Sequence, residues 1–370
     1  MSGAEAVAAA GYHSMVLKQD GSVWTAGQKN SREKVDNGSI NEENNFIQAI
    51  SSGAIAVAAG WKHSLVLMQN DSVRAMGNNK YGQLGDGSTS DSSTFVEVVS
   101  SDVKQISAGG YHSILVKKDG SVWAVGERKF GQLGDGASSD FDIRSRFVQV
   151  ISSGVMAVAA GYTHSVVLKQ DRSVWTTGWN SEGQLGDGSL PGWDNYRNSY
   201  VQVISNGVKA VAAGASHSLA LTKEGSVWAT GDNEFGQLGD WSNIDSISFK
   251  QVISTGVRAI AAGAYHTIVL KQGGSVWATG DNQFGHLGDG STRSTNNFER
   301  VISTNVKAIT AAASHSLVLK RDGSVWATGH NKYGQLGDGS TSDRRSFTMV
   351  TQISDDGTSM CNTGCLKIVI

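Results

Sequence analysis

Short apolar runs separated by polar turns recur along the whole chain. Around the fourth copy the sequence reads FVQVIS from Phe147, AVAAG from Ala157, HSVVLKQD from His164 and SVWTTG from Ser173. The runs are rich in Val, Ile, Leu and Trp and are bounded by Gly, Asp, Asn or Ser. Runs of this length and composition are typical of β-strands, so the pattern predicts an all-β protein with four strands in each copy.

A histidine followed by Ser or Thr marks each copy. Successive copies are 50, 49, 52, 53, 49 and 49 residues apart, which defines seven repeats. The marking residues are His13, His63, His112, His164, His217, His266 and His315. Seven units of four short strands predict a seven-bladed β-propeller of four-stranded antiparallel blades.

Connection lengths predict how the strands group. The QVIS, AVAAG, HSLVLK and SVW strands follow one another at hairpin distances, whereas a longer stretch such as 78–94 precedes the next QVIS strand. We therefore expect a meander in that order, with the long stretch crossing to the next blade. The chain begins inside an AVAAG strand at 5–10 and ends on a QVIS-type strand at 347–354. We expect these terminal strands to share one blade and close a propeller over 1–354, followed by a tail at 355–370.

Composition and charge narrow the function classes. The 370 residues include 46 glycines and one proline, and 17% are charged, as in a turn-rich globular protein. A net charge of -2 without a basic run argues against nucleic-acid or membrane-surface binding. The N-terminus lacks the positive segment of a signal peptide, so we expect a soluble, cytoplasmic monomer. Cys361 and Cys365 lie at the end of the chain and cannot cross-link the propeller.

The recurring polar motifs are expected to be structural. Seven histidines in the same local setting do not form the single asymmetric constellation that an enzyme needs. The GQLGDG segments match neither phosphate-binding glycine motif, and their glycines are expected to supply positive φ in compact loops capped by Asp. We therefore expect no catalytic residue, no metal site and no cofactor.

Two segments carry a family resemblance. Residues 58–88, AAGWKHSLVLMQNDSVRAMGNNKYGQLGDGS, and 311–340, AAASHSLVLKRDGSVWATGHNKYGQLGDGS, resemble the repeats of the regulator of chromosome condensation (RCC1) family. The resemblance covers about residues 3–354 and implies a seven-bladed propeller closed by its termini. The family includes guanine-nucleotide exchange factors for Ran, an ultraviolet photoreceptor, secreted β-lactamase inhibitors and effectors of intracellular bacteria, so it implies a fold more than one function.

One face of the propeller is expected to bind a partner. Strand directions in a meander place the two-residue turns before each histidine on the same face as the long stretches. Six tryptophans at the SVW position are expected to pack between blades, whereas Trp61, Trp179, Trp193 and Trp241 break the repeat pattern. Tyr, Trp and Arg are the residues that dominate binding hot spots. The candidate partner-binding residues are Tyr12, Trp61, Lys62, Tyr111, Tyr162, Trp179, Trp193, Tyr196, Arg197, Trp241 and Tyr265.

These observations favour a non-enzymatic interaction propeller that binds a protein partner through this face. The family resemblance implies a regulator or exchange factor of a small GTPase, but the exchange factor's basic tail and wedge insertion have no counterpart here. The first alternative is a protein inhibitor of an enzyme. The least favoured alternative is an ultraviolet photoreceptor, because only the Gly60–His63 turn resembles the Gly-Trp-Arg-His-Thr sequence that the family's photoreceptor repeats. Two further interpretations stay open: the aromatic rings of the candidate residues could fold over the blade edges, or the central channel could hold a small ligand.

Overall fold

The computed structural model describes residues 3–28, 42–137 and 143–350, which form seven four-stranded antiparallel sheets. The sheets pack side by side in a ring, so the predicted seven-bladed β-propeller is confirmed. No helix in these ranges is long and apolar enough to span a membrane.

Each blade consists of four strands that are consecutive in the chain. Blade 1 contains β1 (Ala4–Ala10), β2 (His13–Lys18), β3 (Val23–Gln28) and β4 (Glu42–Ile50); blade 2 contains β5 (Ala54–Ala59), β6 (His63–Met68), β7 (Val73–Gly77) and β8 (Ser92–Val99); blade 3 contains β9 (Val103–Ala108), β10 (His112–Lys117), β11 (Val122–Glu127) and β12 (Ile143–Ile151). Blade 4 contains β13 (Val155–Ala160), β14 (His164–Lys169), β15 (Val174–Trp179) and β16 (Tyr196–Ile204); blade 5 contains β17 (Val208–Ala213), β18 (His217–Thr222), β19 (Val227–Gly231) and β20 (Ser246–Ile253). Blade 6 contains β21 (Val257–Ala262), β22 (His266–Lys271), β23 (Val276–Gly280) and β24 (Thr295–Ile302); blade 7 contains β25 (Val306–Ala311), β26 (His315–Lys320), β27 (Val325–Gly329) and β28 (Arg344–Met349).

The predicted order of strands within a blade is wrong by one strand. The AVAAG strand lies innermost, and the QVIS strand pairs with the SVW strand that precedes it, as in the register Trp228↔Gln251. The long stretch therefore returns to the outer edge of its own blade, and the short Ser-Gly turn leads to the next blade. Hairpin-length connections fit both arrangements, so loop length alone does not distinguish them.

The predicted closure by a shared blade is also wrong. β28 pairs with β27 of blade 7, and blade 1 has its own fourth strand, β4. Packing closes the ring instead, since Val7 and Val16 of blade 1 share a buried cluster with Leu317 and Leu319 of blade 7. Residues 351–354 of the expected closing strand and the tail at 355–370 lie outside the described residues.

Burial between the blades explains the sequence of the second strand. β2 and β6 are buried at every position, and their apolar runs pack against blades on both sides. A strand buried on both faces has no reason to alternate polar and apolar residues. The six SVW tryptophans each contact a core cluster between two blades, which confirms their predicted packing role; they are Trp24, Trp123, Trp175, Trp228, Trp277 and Trp326.

Candidate functional site

The seven repeat histidines form a closed ring of hydrogen bonds from blade to blade. Each Nε2 bonds the hydroxyl of a Ser or Thr in the next blade, as in His164 to Ser218 at 2.9 Å. The last link, from His315 of blade 7 to Ser14 of blade 1, measures 2.9 Å and closes the circle. The other pairs are His13–Ser64, His63–Ser113, His112–Ser165, His217–Thr267 and His266–Ser316.

The ring histidines are neutral, because a second proton on their buried Nδ1 atoms would find no acceptor among the described residues. The Ser218 hydroxyl donates to the carbonyl of Gln184 at 2.7 Å, so it accepts from His164 Nε2–H. Burial lowers the pKa of His164 to about 3 and that of His217 to about 4, far below the ordinary histidine value. The seven histidines thus link neighbouring blades through buried rings that are neutral at neutral pH.

The GQLGDG loops connect neighbouring blades. In blade 2 the glycines have φ of 75° at Gly82, 84° at Gly85 and 92° at Gly87, which confirms the expected left-handed turns. A Cβ at Gly85 would lie 2.4 Å from the ring of Phe147 in blade 3, and Gly87 N donates to Ser145 O at 2.8 Å. The Asp86 carboxylate accepts from Ser88 N at 2.8 Å and so caps the turn. These loops are occupied by interactions within the protein.

Ring contacts show that the two sets of loops share one face. Tyr12 and Tyr265, from the turns before the histidines, contact Tyr333 and Phe235 of the long loops, with centroids 5.1 and 5.5 Å apart. The predicted common face, here called the loop face, is thus present.

A continuous series of six aromatic rings crosses the loop face, and we call it the aromatic ladder. Successive centroids lie 5.1, 5.6, 5.2, 5.3 and 4.9 Å apart, mostly in edge-to-face geometry. The order of the rings is Tyr333, Tyr12, Trp61, Tyr162, Tyr111 and Tyr81. Tyr81 and Tyr333 were missed in the sequence, although an aromatic residue directly before the GQLG motif recurs in several repeats.

The mouth of the central channel lies beneath this ladder. Trp61 and Tyr162 line it, and below them the wall consists of alanines and glycines of the innermost strands. The cavity holds only about 70 Å³, whereas pockets for drug-sized ligands measure about 300–1,000 Å³. This volume argues against a small ligand in the channel.

Two predicted residues are almost fully exposed. Trp193 in the blade 4 loop is 81% exposed and Trp241 in the blade 5 loop is 78% exposed. Leu190 and Ile244 of the same loops, which sequence reasoning missed, are 79% and 74% exposed. Four strongly exposed apolar side chains thus lie on the long loops of two consecutive blades.

Trp241 also has an unusual backbone. Its φ is 68°, and the equivalent positions Gly87, Gly188 and Gly290 are glycines with positive φ. A left-handed conformation costs an L-residue roughly 1–2 kcal/mol. Because the Trp241 side chain is mostly exposed, its packing does little to offset this backbone cost.

Most of the remaining predicted residues have partners within the protein. Trp179 is half-buried and stacks on Phe130 with centroids 4.9 Å apart. Arg197 forms an ion pair with Asp187 at 2.7 Å, and Tyr196 begins β16 opposite Trp179. Lys62 and Tyr265 are exposed, while Tyr12, Trp61, Tyr111 and Tyr162 are half-buried within the ladder. Trp193 contacts the Trp179 ring, with centroids 5.5 Å apart, yet stays 81% exposed. The alternative that the rings fold down thus applies to Trp179, applies to Trp193 only through this one contact, and does not apply to Trp241.

Within the described ranges, no group of three His, Cys, Asp or Glu side chains could hold a metal ion.

Two family models with the description Regulator of chromosome condensation (RCC1) repeat match the chain. One matches 54–83, 103–132, 155–184, 208–237, 257–285 and 306–335, and the other matches 70–116, 119–168, 171–221 and 224–270. The chain belongs to the RCC1 repeat family.

Individual RCC1-family relatives match over shorter stretches. The Ultraviolet-B receptor UVR8 of Arabidopsis thaliana is 34% identical over 92 residues, which is 25% of this chain and 20% of the relative. The X-linked retinitis pigmentosa GTPase regulator of Mus musculus is 36% identical over 92 residues, or 24% of this chain and 9% of the relative. These matches span a fifth or less of the relatives' lengths.

A solved structure covers the fold more completely. Prp20p from Saccharomyces cerevisiae has a TM-score of 0.77 and 20% sequence identity, covering 91% of this chain and 88% of that chain. At this identity the likeness concerns the fold alone.

Proposed function

We propose that this RCC1-family propeller is a non-enzymatic regulator that binds a protein partner through the loop face, with Trp193 and Trp241 as its main contacts. The observation that carries the proposal is the exposure of these two side chains, 81% and 78%. Truncating a tryptophan hot spot typically costs about 2 kcal/mol or more of binding free energy. The strained backbone of Trp241 supports the same role, because the family fold does not require a side chain there.

The comparisons support a protein as the partner. One relative is named a GTPase regulator, and the structure of Prp20p is described together with its binding to Gsp1p and histones. By analogy, a small GTPase is the named candidate partner for this chain, and regulation of its nucleotide exchange is the finer form of the proposal.

Inhibition of an enzyme by the same face is the second candidate, because an exposed pair of tryptophans suits insertion into a cleft. Photoreception has less support. Trp61 contacts Tyr12 and Tyr162 instead of other tryptophans, with centroids 5.6 and 5.2 Å apart.

The experiment compares partner capture by the full chain and by the Trp193→Ala, Trp241→Ala double variant. Partners bound by the wild-type protein and identified by mass spectrometry are titrated against both proteins by calorimetry. We expect the double variant to bind at least about thirtyfold more weakly. Met349→Ala serves as a matched control, because Met349 is 47% exposed on β28, away from the loops. Equal affinities for the double variant and the wild type would contradict the proposal.

A further inference from the structure

The loop face changes its charge from one half to the other. In blades 2 to 7, the third residue after the last glycine of the SVW strand is a lysine in three blades, neutral in two and acidic in one. These residues are Lys80 in blade 2, Lys129 in blade 3, Ser181 in blade 4, Glu234 in blade 5, Gln283 in blade 6 and Lys332 in blade 7. The blade architecture is the same whichever residue occupies this position, so the fold does not require this separation of charge. Separated charges on a binding face orient a partner of complementary charge.

The acidic half surrounds Tyr265. Burial, followed by the charges of Asp232, Asp281 and Glu234, raises the pKa of the Tyr265 hydroxyl. Burial and the neighbouring carboxylates Asp245, Glu182 and Glu234 likewise raise the pKa of Asp232. Glu234 and Asp245 are exposed and Glu182 and Asp232 are half-buried, so carboxylates outnumber unpaired cations such as Arg293 on the described long loops of blades 4, 5 and 6.

The basic half coincides with the aromatic ladder. Lys80 Nζ lies 5.2 Å from the ring centroid of Tyr81, and Lys332 Nζ lies 5.6 Å from that of Tyr333. Lys129 Nζ lies 5.1 Å from the ring of Phe130, and Lys62 follows Trp61 in the chain. None of the four lysines forms an ion pair with another residue in the described ranges.

The ladder also offers a hydrogen-bond donor. The Tyr162 hydroxyl donates to the Tyr111 hydroxyl at 2.8 Å, which leaves the Tyr111 proton available for an acceptor above the face. Besides the aspartates that cap the GQLGDG turns, three carboxylates lie in the described part of this half. Asp91 and Asp343 accept from the backbone N–H groups of Asn79 and Asn331 at 2.8 and 2.7 Å. Glu127 is half-buried, accepts from Gln132 Nε2 at 3.1 Å, and lies near Lys129 and Lys80.

We propose that the half-face formed by Lys62, Lys80, Lys129, Lys332 and the aromatic ladder binds an acidic segment of the partner protein. Carboxylates of that segment pair with the lysines and accept from Tyr111, and its apolar side chains pack on the exposed edges of the rings. The acidic half repels the same segment and so sets the orientation of the partner, with its acidic side over blades 7, 2 and 3. This inference rests on the proposed function and specifies the chemistry of the partner.

The test uses the full chain and a fluorescent synthetic peptide that alternates Asp, Glu and Tyr, with neutral and basic peptides of equal length as comparisons. We expect saturable binding of the acidic peptide alone at about 50 mM salt, weakened several-fold at about 300 mM because exposed charges are screened. The Lys80→Glu, Lys129→Glu variant is expected to lose at least about tenfold in affinity.

A matched variant controls for net charge. Lys104→Glu, Lys307→Glu changes the net charge by the same amount at exposed positions at the starts of β9 and β25, opposite the loop face. We expect it to bind the peptide like the wild type. Melting curves establish that both variants are folded.

Other outcomes overturn the inference. Equal loss in the two lysine variants, or no saturable binding of the acidic peptide, removes the role of this half-face. Tighter binding of poly(U) RNA indicates a nucleic-acid partner instead, and sedimentation of the free chain as a dimer that Lys80→Glu, Lys129→Glu dissociates indicates a second copy. If the acidic peptide does not bind but partner capture still depends on Trp193 and Trp241, this inference alone is rejected. If partner capture does not depend on Trp193 and Trp241, the proposed function is rejected.

Discussion

Mild acid should unfold this propeller, because the buried ring histidines stay neutral at a pH where the histidines of the unfolded chain are protonated. Burial lowers the pKa of six ring members to about 3 or 4, and that of His266 well below the ordinary value near 6.5. The unfolded chain binds these protons at ordinary affinity. The stability linked to the neutral ring is therefore complete above about pH 6.5 and is lost progressively as the pH falls from there towards about 4.

The magnitude follows from the number of histidines. At about pH 5.5, protonation of one unfolded histidine lowers the free energy of unfolding by about 1.4 kcal/mol, and seven together lower it by about 10 kcal/mol. Whole proteins are stable by about 5–15 kcal/mol. We expect most of the stability to disappear between about pH 7.5 and 5.5, before carboxylates with ordinary pKa values near 4 contribute.

Urea titrations followed by tryptophan fluorescence across this pH range measure the loss. His164→Gln supplies a comparison, because the amide still donates to Ser218 but does not titrate. The variant should be less stable than the wild type near neutral pH, and the difference should shrink by about 1.4 kcal/mol at about pH 5.5. A free energy of unfolding that stays constant from about pH 7.5 to 5.5 would refute neutral burial of the ring.

Four further expectations follow from the geometry. Trp193→Ala should leave the melting temperature almost unchanged, whereas Trp228→Ala, at the blade interface, should lower it markedly, because it lowers the free energy of unfolding by about 3 kcal/mol. Similar melting temperatures for the two variants would place Trp193 in the core. Trp241→Gly should stabilise the fold by about 1 kcal/mol in urea titrations, because glycine relieves the left-handed backbone, and should weaken partner binding in calorimetry; a loss of stability would contradict the strain. Ser14→Ala and Ser218→Ala should each lower the free energy of unfolding by about 1–3 kcal/mol in urea titrations, because each leaves a histidine N–H and a carbonyl without that hydrogen bond. A much smaller effect of Ser14→Ala would mean that the hydrogen-bond ring does not close between blades 7 and 1. In a labelled-nucleotide release assay with Ran, we expect no acceleration comparable with that of a dedicated exchange factor, because the sequence predicts no counterpart of the wedge insertion. Strong, concentration-dependent release would contradict this expectation.

The sequence determines the local structure of this protein. Apolar runs such as His164–Lys169 are short, end at turn residues and recur with the repeat, so strand positions and the number of blades can be predicted from them. The common face of the turns and long loops also follows from strand order alone. Each hairpin reverses direction, and the shift of one strand in the blade does not change which ends point up.

Tertiary structure decides the phase of the blades and their closure. The QVIS strand follows a loop whose glycines, such as Gly85, lie against the neighbouring blade before the chain returns to its own blade. That path depends on contacts between repeats, and these contacts cannot be inferred from the length of the loop. The ring closes because the interface between blades 7 and 1 repeats the others, including the His315–Ser14 bond, so no shared strand is needed.

Exposure of the aromatic rings is likewise a tertiary property. Trp179 and Trp193 occur in one stretch of sequence, yet Trp179 contacts both Phe130 and Trp193 and is half-buried, whereas Trp193 contacts only the Trp179 ring among the described aromatic rings and stays mostly in solvent. The difference arises because the blade 3 loop reaches over blade 4 and supplies a ring to the first tryptophan, whereas the second lies farther along the longer loop. Sequence identifies which residues could bind a partner, but only packing between adjacent blades decides which of them stay free to do so.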